Sequence, residues 1–497
     1  MKLSLTTGEL KLANILLYVK NVEIRFAGGW VRDKLLGSIS NDIDVALDGM
    51  TGQDFVNLLQ QELRKHHEEN LISHIGKIAI NPDQSKHLET VTGKVCGFEC
   101  DFVNLRNESY ALHSRIPEMA FGTAKEDALR RDFTINSLFY NLNSQVVEDL
   151  TGHGISDLKS QLIRTPLDAR TTFKDDPLRA LRAIRFASRL KFKICPEIIA
   201  ACHDNDIQQA LATKVSHERI VIELNKMLSS QHPDYGFYML HHTELYDAIL
   251  PKLFDIVVKQ HDKKRQLTVE RQNSDQIIGL GRILKLQQDK RLLPIEVSDA
   301  HLRTLYLSIL YAPYAASLSQ LTAKSCRSFV DYFTTVGLKF SKKDNQLSID
   351  VLYKALKIKK TLFDQEMKLT KKQFGLLVRH NSADKSFDAP FLLAAVLYLQ
   401  SHFKCQFDSD KLQFHDKLET QNLEFASGVV ANIFKRIQEY GFGDIAHWTP
   451  ILNGQDIKAL KPLKGEAIGE AINLVLEYQI ENHPVTIDQA KEWFIKQ

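Results

Sequence analysis

The first 150 residues alternate between short strand-like and helix-like patterns. Apolar and polar positions alternate over three stretches that we interpret as strands: Glu23–Ala27, Ile43–Leu47 and Glu99–Val103. A turn at Gly28 and Gly29 follows the first stretch and leads into a helical pattern that ends at Gly37. The polar stretch Asn81–Lys86 predicts an exposed loop.

A different pattern begins near Asp175 and continues to the C-terminus. Apolar residues there recur every three to four positions, as in Leu178, Leu181 and Ile184, which is the period of an amphipathic helix. Almost everything beyond this point is typical of helices joined by short loops, and the sequence has no internal repeat. The chain is therefore predicted to have an α/β head followed by a long all-α body.

The composition supports a helix-rich globular protein of several domains. The chain has 497 residues, which suggests about three domains at roughly 150 residues each. Its 44% hydrophobic and 25% charged residues exclude wholesale disorder and a collagen-like fibre. The 64 Lys and Arg residues against 61 Asp and Glu residues give a net charge of +3, which neither demands nor forbids a nucleic-acid partner.

The cysteines and the N-terminus favour an intracellular protein. The six cysteines form no CxxC pair and no zinc-ligand spacing with histidines, which favours reduced thiols. The longest apolar run, near Phe391–Leu399, is far shorter than the ~18 residues that a membrane span needs. The N-terminus lacks the pattern of a transit peptide or a secretory signal. We therefore expect a cytoplasmic and/or nuclear protein without a membrane partner, with a mitochondrial form also open.

Two carboxylates and a glycine turn form the richest candidate site. Asp42 and Asp44 are two apart on a predicted strand, so both side chains point to the same side. Adjacent carboxylates repel each other unless a cation lies between them, and hard oxygen ligands suit Mg²⁺. Gly28 and Gly29 let backbone N–H groups approach a phosphate, with Arg32 nearby to neutralise charge. Together these residues predict metal-dependent nucleotidyl transfer, with Asp42 and Asp44 as metal ligands.

The alternative for the same residues is an exposed acidic strand end after an ordinary glycine turn. A lone Asp-x-Asp would favour that alternative, because the motif is short. The full spacing, Gly-Gly-x-Val-Arg-Asp-x-Leu-Leu-Gly followed by Asp-x-Asp, favours the nucleotidyl transfer site.

Five motifs in order give the chain a resemblance to a known family. The carboxylate segment resembles the head domain of class II tRNA nucleotidyltransferases (CCA-adding enzymes) and of the related bacterial poly(A) polymerases. Four later motifs of that family follow in order: Arg130–Ser137, Asp149–Gly152, Asp175–Arg179 and Glu218–Lys226. The resemblance covers roughly Ile24–Leu228, and the stretches Asn81–Thr90 and Asp101–Arg106 are similar to the fungal enzymes.

The resemblance implies an α+β fold, with a polymerase-beta-like nucleotidyltransferase head that contains a small mixed sheet, followed by a long all-α neck, body and tail. We expect the head at residues 1–150 and a helical neck that recognises the nucleotide at 151–250. The body and tail, expected to bind tRNA, would occupy 251–497. Basic clusters in the body, within Lys354–Lys360 and Lys368–Lys372, are either solvated helix faces or contacts for tRNA phosphates.

The resemblance also implies roles at the catalytic and ribose-binding positions. Asp101 would lie on a strand beside Asp42 and Asp44, and act as general base on the primer hydroxyl or tune the metal site. Asp132 would accept a hydrogen bond from the ribose 2′-hydroxyl, while Arg131 contacts sugar or phosphate. The alternatives are a solvated strand residue for Asp101 and a helix N-terminus stabilised by Asp132.

Asp176 and Arg179 are candidates for reading the base. On a helix, residues three apart share a face, and alone this pair would be a surface ion pair. A carboxylate only accepts and a guanidinium only donates, so the pair matches the edges of cytosine and adenine but not of uracil and guanine. The resemblance favours this selection by protein groups. It also places Arg182 and Arg185, one and two turns further on, where they would hold the triphosphate.

These residues predict an enzyme that adds CMP and/or AMP, from CTP and ATP, to tRNA 3′ ends with Mg²⁺ and without a nucleic-acid template. One alternative restricts the product to CC or to the terminal A, or gives a poly(A) polymerase-like enzyme, with Asn81–Thr90 governing the switch from C to A. Another alternative is a non-catalytic RNA-binding module. A monomer and a homodimer are both compatible with the sequence.

Overall fold

The computed structural model describes residues 3–40, 42–78, 90–110, 117–250, 253–260, 263–272, 274–320, 323–365, 368–383 and 386–497. The predicted Asn81–Lys86 loop lies outside the described residues, as does the stretch Asn81–Thr90 up to residue 89. The chain divides into two compact units. The first unit comprises Met1–Met227 and His242–Ile249, and the second comprises Leu228–His241 and Leu250–Gln497.

A seven-stranded mixed sheet lies at the centre of the first unit. The strands of this unit are β1 (Ile24–Ala27), β2 (Asp42–Leu47), β3 (Ile72–Ile78), β4 (Thr90–Val95), β5 (Phe98–Asn104), β6 (Arg106–Tyr110), β7 (Pro117–Phe121), β8 (Phe139–Asn141), β9 (Val146–Glu148), β10 (Leu162–Ile163) and β11 (Lys193–Ile194). The spatial order in the large sheet is β3-β4-β5-β2-β1-β8-β9. All neighbours are antiparallel except β2 and β5, which are parallel. β6 pairs with β7, and β10 with β11.

Helices surround this sheet and continue beyond it. They are α1 (Thr7–Leu16), α2 (Gly29–Leu35), α3 (Gly52–Lys65), α4 (Ala124–Leu129), α5 (Gly154–Lys159), α6 (Ala169–Asp175), α7 (Leu178–Leu190), α8 (Pro196–Cys202), α9 (Asn205–Lys214), α10 (His217–Leu228), α11 (Pro233–His242) and α12 (Leu245–Ile249). α11 belongs to the second unit as far as His241. Short 3₁₀ turns cover Glu69–Leu71 and Thr134–Asn136.

The hydrophobic pattern of the sequence agrees with the burial of these elements. All four residues of β1 are buried, and the apolar residues of β2 point into the core while its two aspartates point outward. Phe55 of α3 packs on Phe102 of β5, with ring centroids 5.5 Å apart. Leu178 and Ile184 are buried on α7, as the helical period predicts. The predicted α+β fold with a mixed-sheet head is therefore confirmed.

The second unit is mainly helical but contains two hairpins that the all-α expectation missed. Its helices beyond α11 are α13 (Gln276–Lys290), α14 (Asp299–Tyr311), α15 (Ala315–Ser319), α16 (Ala323–Thr335), α17 (Lys342–Ile358), α18 (Lys371–His380), α19 (Asp388–Gln400), α20 (Thr420–Tyr440), α21 (Gly454–Leu460), α22 (Glu466–Asn482) and α23 (Ile487–Lys496), with a π-helical turn at Lys359–Asp364 and 3₁₀ turns at Ala312–Tyr314 and Ile445–His447. The hairpins are β12 (Leu253–Gln260) with β13 (Lys263–Glu270), and β14 (Phe403–Asp408) with β15 (Gln413–Leu418). None of the helices in the described ranges has both the length and the apolar character that a membrane crossing requires.

The hairpin of β14 and β15 is held by aromatic packing. Phe407 lies opposite Phe414 across the hairpin, and its ring is 4.2 Å from that of Tyr238 on α11. Arg282 of α13 binds Asp416 of β15 at 2.7 Å. The apolar residues of β14 alternate with polar ones, so one face packs inward while the other stays exposed. This period of two favours a strand over a helix at β14.

Candidate active site

Four carboxylates share one exposed face of the sheet in the first unit. In the parallel pairing of β2 with β5, Asp42 lies opposite Glu99, and Asp44 lies opposite Asp101. All four residues are exposed, whereas the residues between them on each strand are buried. The structure thus places Asp101 beside the strand that carries Asp42 and Asp44, as the resemblance implies.

Gly28 brings the turn after β1 close to this carboxylate face. Its backbone φ is +61°, a value that favours glycine. A Cβ atom added there would lie 2.6 Å from Nη1 of Arg131 and 3.8 Å from Oδ2 of Asp44. Its N–H group donates to the carbonyl of Leu138 at 2.9 Å, so it supports the sheet. Gly29 is the first residue of α2, where an N–H group has no partner within the helix.

Asp44 is electrostatically coupled to its neighbours. The surrounding protein removes part of the water around Asp44 and so raises its pKa, although the residue is exposed at the surface. The guanidinium of Arg131 lowers the pKa of Asp44, and the charges of Asp127 and Asp42 raise it. The resulting pKa lies above the ordinary value for an aspartate. A nearby cation would relieve the repulsion between Asp42 and Asp44, because it stabilises both charged forms.

The carboxylates fit a metal ion that substrate phosphates help to hold. Within the part of the chain that the structure describes, no group of three or more His, Cys, Asp and Glu side chains is close enough together to hold a metal ion. Mg²⁺ is commonly held by one or two carboxylates, with substrate phosphates and water completing its octahedral shell. Asp42 and Asp44, exposed on one face, match that arrangement.

Arg131 is fixed between a buried acid and a backbone carbonyl. Its Nη2 lies 2.9 Å from Oδ2 of Asp127, and its Nη1 donates to the carbonyl of Asn136 at 3.1 Å. Its guanidinium also lies 5.0 Å from the ring centroid of Phe139. Asp127 accepts from Nε of Arg130 at 2.9 Å as well. These contacts hold Arg131 where its charge stabilises that of Asp44.

Asp132 is a buried carboxylate with four hydrogen bonds. Its Oδ1 accepts from the backbone N–H of Phe133 at 2.8 Å and from Nδ2 of Asn136 at 2.9 Å. Its Oδ2 accepts from Nε and Nη2 of Arg182 at 2.9 and 2.5 Å. Burial alone would raise the pKa of Asp132, but Arg182 and Asn136 bring it down to about 2. The alternative of a helix start was wrong, because α4 ends at Leu129 and only a short 3₁₀ turn follows Asp132.

Arg32 faces the protein interior. Only 2% of the residue is exposed, and its guanidinium donates to Asp33 at 2.8 Å and to Oδ1 of Asn136. The same group lies 5.0 Å from the ring centroid of Phe186 on α7. Asp33 also pairs with Arg189 of α7 at 2.9 Å. Arg32 therefore links α2 to Asn136 and to Phe186 of α7. The predicted contact with a phosphate would require the side chain of Arg32 to turn outward.

Asp176 and Arg179 do not share a helix. Asp176 is the residue after α6, with an extended backbone, and its Oδ1 accepts from the N–H of Leu178 at 3.2 Å. The expectation of one continuous helix face was wrong, because Pro177 ends one helix and begins the next. Oδ2 of Asp176 binds Arg219 of α10 at 2.8 Å, and Nη2 of Arg179 donates to the carbonyl of Arg130 at 2.8 Å.

Arg182 and Arg185 meet a second buried acid on α10. Glu223, which is 4% exposed, lies 3.5 Å from Nη1 of Arg182 and bonds Nε of Arg185. Both guanidiniums lie near the ring of Phe186, at 5.9 and 4.0 Å from its centroid. The side chain of Arg182 is 35% exposed and that of Arg185 is 8% exposed. Of the two, Arg182 is the one that a ligand can reach from solvent.

Comparison with known proteins covers nearly the whole chain. A family model described as the poly A polymerase head domain matches residues 24–164, and one described as the probable RNA and SrmB-binding site of polymerase A matches 191–256. The mitochondrial CCA tRNA nucleotidyltransferase of Saccharomyces cerevisiae is 33% identical over 486 residues, with 94% of this chain and 86% of the relative covered. The chain belongs to the tRNA nucleotidyltransferase family. The tRNA nucleotidyltransferase cca1 of Schizosaccharomyces pombe is also 33% identical, over 93% of this chain and 89% of the relative.

Solved structures agree with this tRNA nucleotidyltransferase in fold. The Bacillus stearothermophilus CCA-adding enzyme in complex with CTP aligns with a TM-score of 0.60 at 16% identity, covering 99% of this chain and 98% of that one. The Thermotoga maritima CCA-adding enzyme complexed with tRNA aligns with a TM-score of 0.59 at 18% identity, covering 99% and 96%. Nucleotidyltransferases of this family generally use a divalent metal ion.

Three residues that hold the site of this tRNA nucleotidyltransferase together were not among the predicted ones: Asp33, Asp127 and Asn136. Asn136 lies inside the Arg130–Ser137 motif, which was a usable signal. Asp127 precedes Arg130 and Arg131 by three and four positions, a spacing that favours ion pairs on a helix. Asp33 is the aspartate of the Gly-Gly-x-Val-Arg-Asp motif, which was likewise a usable signal, but its pairing with Arg189, 156 positions away, was not predictable.

Proposed function

We propose that this tRNA nucleotidyltransferase adds CMP and AMP, from CTP and ATP, to the 3′ end of tRNA, with Mg²⁺ as its metal ion. The observation that supports the proposal most is the carboxylate face, where Asp42 and Asp44 of β2 lie in register with Glu99 and Asp101 of β5. The full-length relatives from two yeasts, both named as tRNA nucleotidyltransferases, support the same reaction.

The carboxylates have two roles in this proposal, metal binding and proton transfer. Asp42 and Asp44 would hold Mg²⁺ together with the triphosphate oxygens. When bound, Mg²⁺ supplies Lewis-acid polarisation of the phosphate and lowers the pKa of the attacking hydroxyl. Asp101, opposite Asp44, accepts the proton from the 3′-hydroxyl of the primer, whose oxygen then bonds the α-phosphorus as pyrophosphate leaves.

Asp176 and Arg179 select the base in this proposal. The carboxylate of Asp176 accepts from the exocyclic amino group of cytosine or adenine, and Arg179 donates to the acceptor nitrogen next to it. Arg219 binds the carboxylate of Asp176, and the carbonyl of Arg130 accepts from Arg179, so each side chain has a partner that holds it in position. Uracil and guanine offer a carbonyl where Asp176 needs a donor, so they are rejected.

In this proposal Asp132 binds the 2′-hydroxyl of the ribose, and Arg182 binds the triphosphate. The four bonds of Asp132 fill the acceptor positions of its carboxylate, so a 2′-hydroxyl has to replace one of them. Arg182 is half-buried and is the donor that solvent can reach, so a triphosphate would attract it away from Oδ2 of Asp132. Arg131 and the N–H group of Gly29 complete the phosphate side, while Arg185 stays with Glu223.

Restricted products form the second candidate, though the observations favour it less. An enzyme that adds only CC, or only the terminal A, would use the same Asp176 and Arg179 pair. Incubation with tRNA lacking A, CA or CCA, with CTP and ATP offered singly and together, distinguishes these products by length. A poly(A) polymerase-like activity would give long A tails on the same substrates.

The proposal also includes the cellular location of the protein and its oligomeric state. The Saccharomyces cerevisiae relative is named as mitochondrial, which supports a mitochondrial form beside the expected cytoplasmic and nuclear ones. The second unit would bind tRNA, and the protein would act as a monomer or a homodimer. We retain the division into head, neck and body at residues 150 and 250 as part of this proposal.

Substitution of Asp44 tests the metal assignment. Asp44→Asn keeps the size of the side chain but removes a charge that the metal needs. We expect CMP incorporation into tRNA lacking CCA to fall by about 10³-fold, while tRNA binding is unchanged. Asp48→Asn is the matched control, because Asp48 is exposed just after the same strand and lies near Arg25 rather than the carboxylate face. Normal turnover by Asp44→Asn would refute the assignment.

A further inference from the structure

Asn136 connects four of the residues assigned to nucleotide binding. Its side-chain Oδ1 accepts from Arg32, and its Nδ2 donates to Oδ1 of Asp132 at 2.9 Å. Its backbone carbonyl accepts from Nη1 of Arg131 at 3.1 Å and would lie 3.3 Å from a Cβ atom at Gly28. Asn136 itself is 7% exposed.

The chemistry of the amide suits both partners at once. An amide offers an acceptor and a donor on one rigid plane, so Asn136 satisfies a guanidinium on one side and a carboxylate on the other. Aspartate at this position would lose the donor, and an aliphatic residue would lose both groups. Because Arg32 and Asp132 are both buried, the loss of either bond leaves one hydrogen-bonding position of a buried charged group unfilled, although Arg32 keeps Asp33 and Asp132 keeps Arg182.

Asn136 also decides which oxygen of Asp132 can meet a ligand. Oδ1 is occupied by Nδ2 of Asn136 and by the backbone N–H of Phe133. Oδ2 is held by Arg182, whose side chain is 35% exposed and can exchange partners. The fixed oxygen is therefore Oδ1, and the oxygen that becomes available to a ribose is Oδ2.

We propose that Asn136 is a positioning residue that sets the preference of this enzyme for ribonucleotides over deoxyribonucleotides, by holding Asp132 with Oδ2 toward the sugar. The inference rests on the proposed role of Asp132 in reading the 2′-hydroxyl. It assigns to Asn136 an effect on sugar choice that acts through Asp132 and needs no contact with the substrate.

The test compares kcat/KM for CTP and dCTP on tRNA lacking CCA. Asn136→Ala removes one of the two bonds that fix Oδ1 of Asp132. The orientation of the carboxylate is then less restricted, and we expect the CTP/dCTP ratio to fall about tenfold through a loss on CTP. Asn136→Asp keeps the acceptor for Arg32 but loses the donor to Asp132, and should lower the ratio in the same direction. If Asn136→Asp does not fold, Asn136→Ala still gives the answer, because it buries no new charge.

Asn141→Ala is the matched control. Asn141 is also a buried asparagine in the first unit, 3% exposed, and its Nδ2 donates to Glu148 at 2.8 Å, away from the nucleotide residues. We expect this variant to lose thermal stability while its CTP/dCTP ratio stays at the wild-type value. A purely structural role for Asn136 would give the same result and would overturn the proposal.

Asp132→Asn distinguishes a failure of the role proposed for Asn136 from a failure of the ribose role proposed for Asp132. A lower ratio in Asp132→Asn with a wild-type ratio in both Asn136 variants would refute the role of Asn136 alone. A wild-type ratio in Asp132→Asn would refute the ribose role of Asp132, and the inference with it. Absence of CMP incorporation by the wild-type protein would instead refute the proposed function.

Discussion

Single charged residues at this site are held by specific partners. Asp132 has a guanidinium, an amide and a backbone N–H group, and Arg179 has the carbonyl of Arg130. Such groups cost little rotamer entropy when substrate binds, because their positions are already fixed. We therefore expect substitutions here to change substrate choice at least as much as substrate affinity.

Arg179 provides a direct test of base choice. Arg179→Ala removes the donor that would face N3 of cytosine or N1 of adenine, and leaves the carboxylates of β2 untouched. We expect the preference for CTP over UTP to fall by roughly 10- to 100-fold, because a hydrogen bond from a charged donor is worth about 1.5–3 kcal/mol. The measurement is the ratio of kcat/KM values for the two nucleotides on tRNA lacking CCA.

Arg189→Ala is the control for this substitution. Arg189 lies on the same helix, α7, but its side chain is 47% exposed and pairs with Asp33. Its removal should leave the CTP/UTP ratio unchanged. An unaltered ratio in Arg179→Ala would count against base selection by protein groups, whatever happens to the absolute rate.

At the scale of elements, α7 and α10 are joined by the two arginines that Glu223 holds. Glu223→Gln removes the charge between Arg182 and Arg185 while keeping the shape of the side chain. The guanidinium of Arg185 would then be buried without a counter-charge, so we expect a loss of about 3 kcal/mol in the free energy of unfolding. Urea titration followed by circular dichroism measures this loss.

Lys226→Gln is the matched substitution on the same helix. Lys226 lies in the last turn of α10 and is exposed, so the loss of its charge should change the free energy of unfolding by no more than about 0.5 kcal/mol. Equal effects of the two substitutions would contradict the bracing role of Glu223.

Much of the fold was predictable from local patterns. The strands β2 and β5 and the helix α7 follow from alternation and from the helical period, because each buries one face in its own unit. The strand β1 was also predicted, although all four of its residues are buried. The parallel neighbours β2 and β5 are more than 50 positions apart, so only the family resemblance indicated their pairing. The hairpins of the second unit were missed, because the helical pattern of the neighbouring segments was extended over them although β14 alternates apolar and polar residues.

The candidate site also contains some features that local patterns predict and others that they do not. The positions of Asp42, Asp44 and Asp101 on one face follow from strand alternation and pairing. The break between Asp176 and Arg179 was predictable from Pro177, because a residue before proline disfavours helical geometry. The partners of Asp132 and Asp176 were not predictable, because Arg182 and Arg219 come from distant turns of the chain and long-range ion pairs leave no periodic signal.

At the scale of the whole molecule, the candidate catalytic residues and the basic clusters belong to different units. All candidate site residues lie in the first unit, and the lysine clusters lie in the second. Many of those lysines have partners: Lys354 binds Asp350 at 2.6 Å and Lys359 binds Asp364 at 2.8 Å. Such lysines are solvated or structural, so a contact with tRNA phosphates has to come from the others.

Lys360 and Lys368 are the lysines best suited to contact tRNA. Both are exposed, and neither forms an ion pair with another residue that the structure describes. The double substitution Lys360→Gln/Lys368→Gln should weaken tRNA binding and lower the slope of log K against log salt concentration by about 1.5, because each phosphate contact releases counterions. Lys354→Gln should leave the slope unchanged, since Lys354 is already bound to Asp350 and to the carbonyl of Ser382.

Filter binding of labelled tRNA over a range of salt concentrations measures the affinity and the slope for each protein. Equal slopes in all three proteins would assign these clusters to solvated helix faces and move the tRNA contacts elsewhere in the chain.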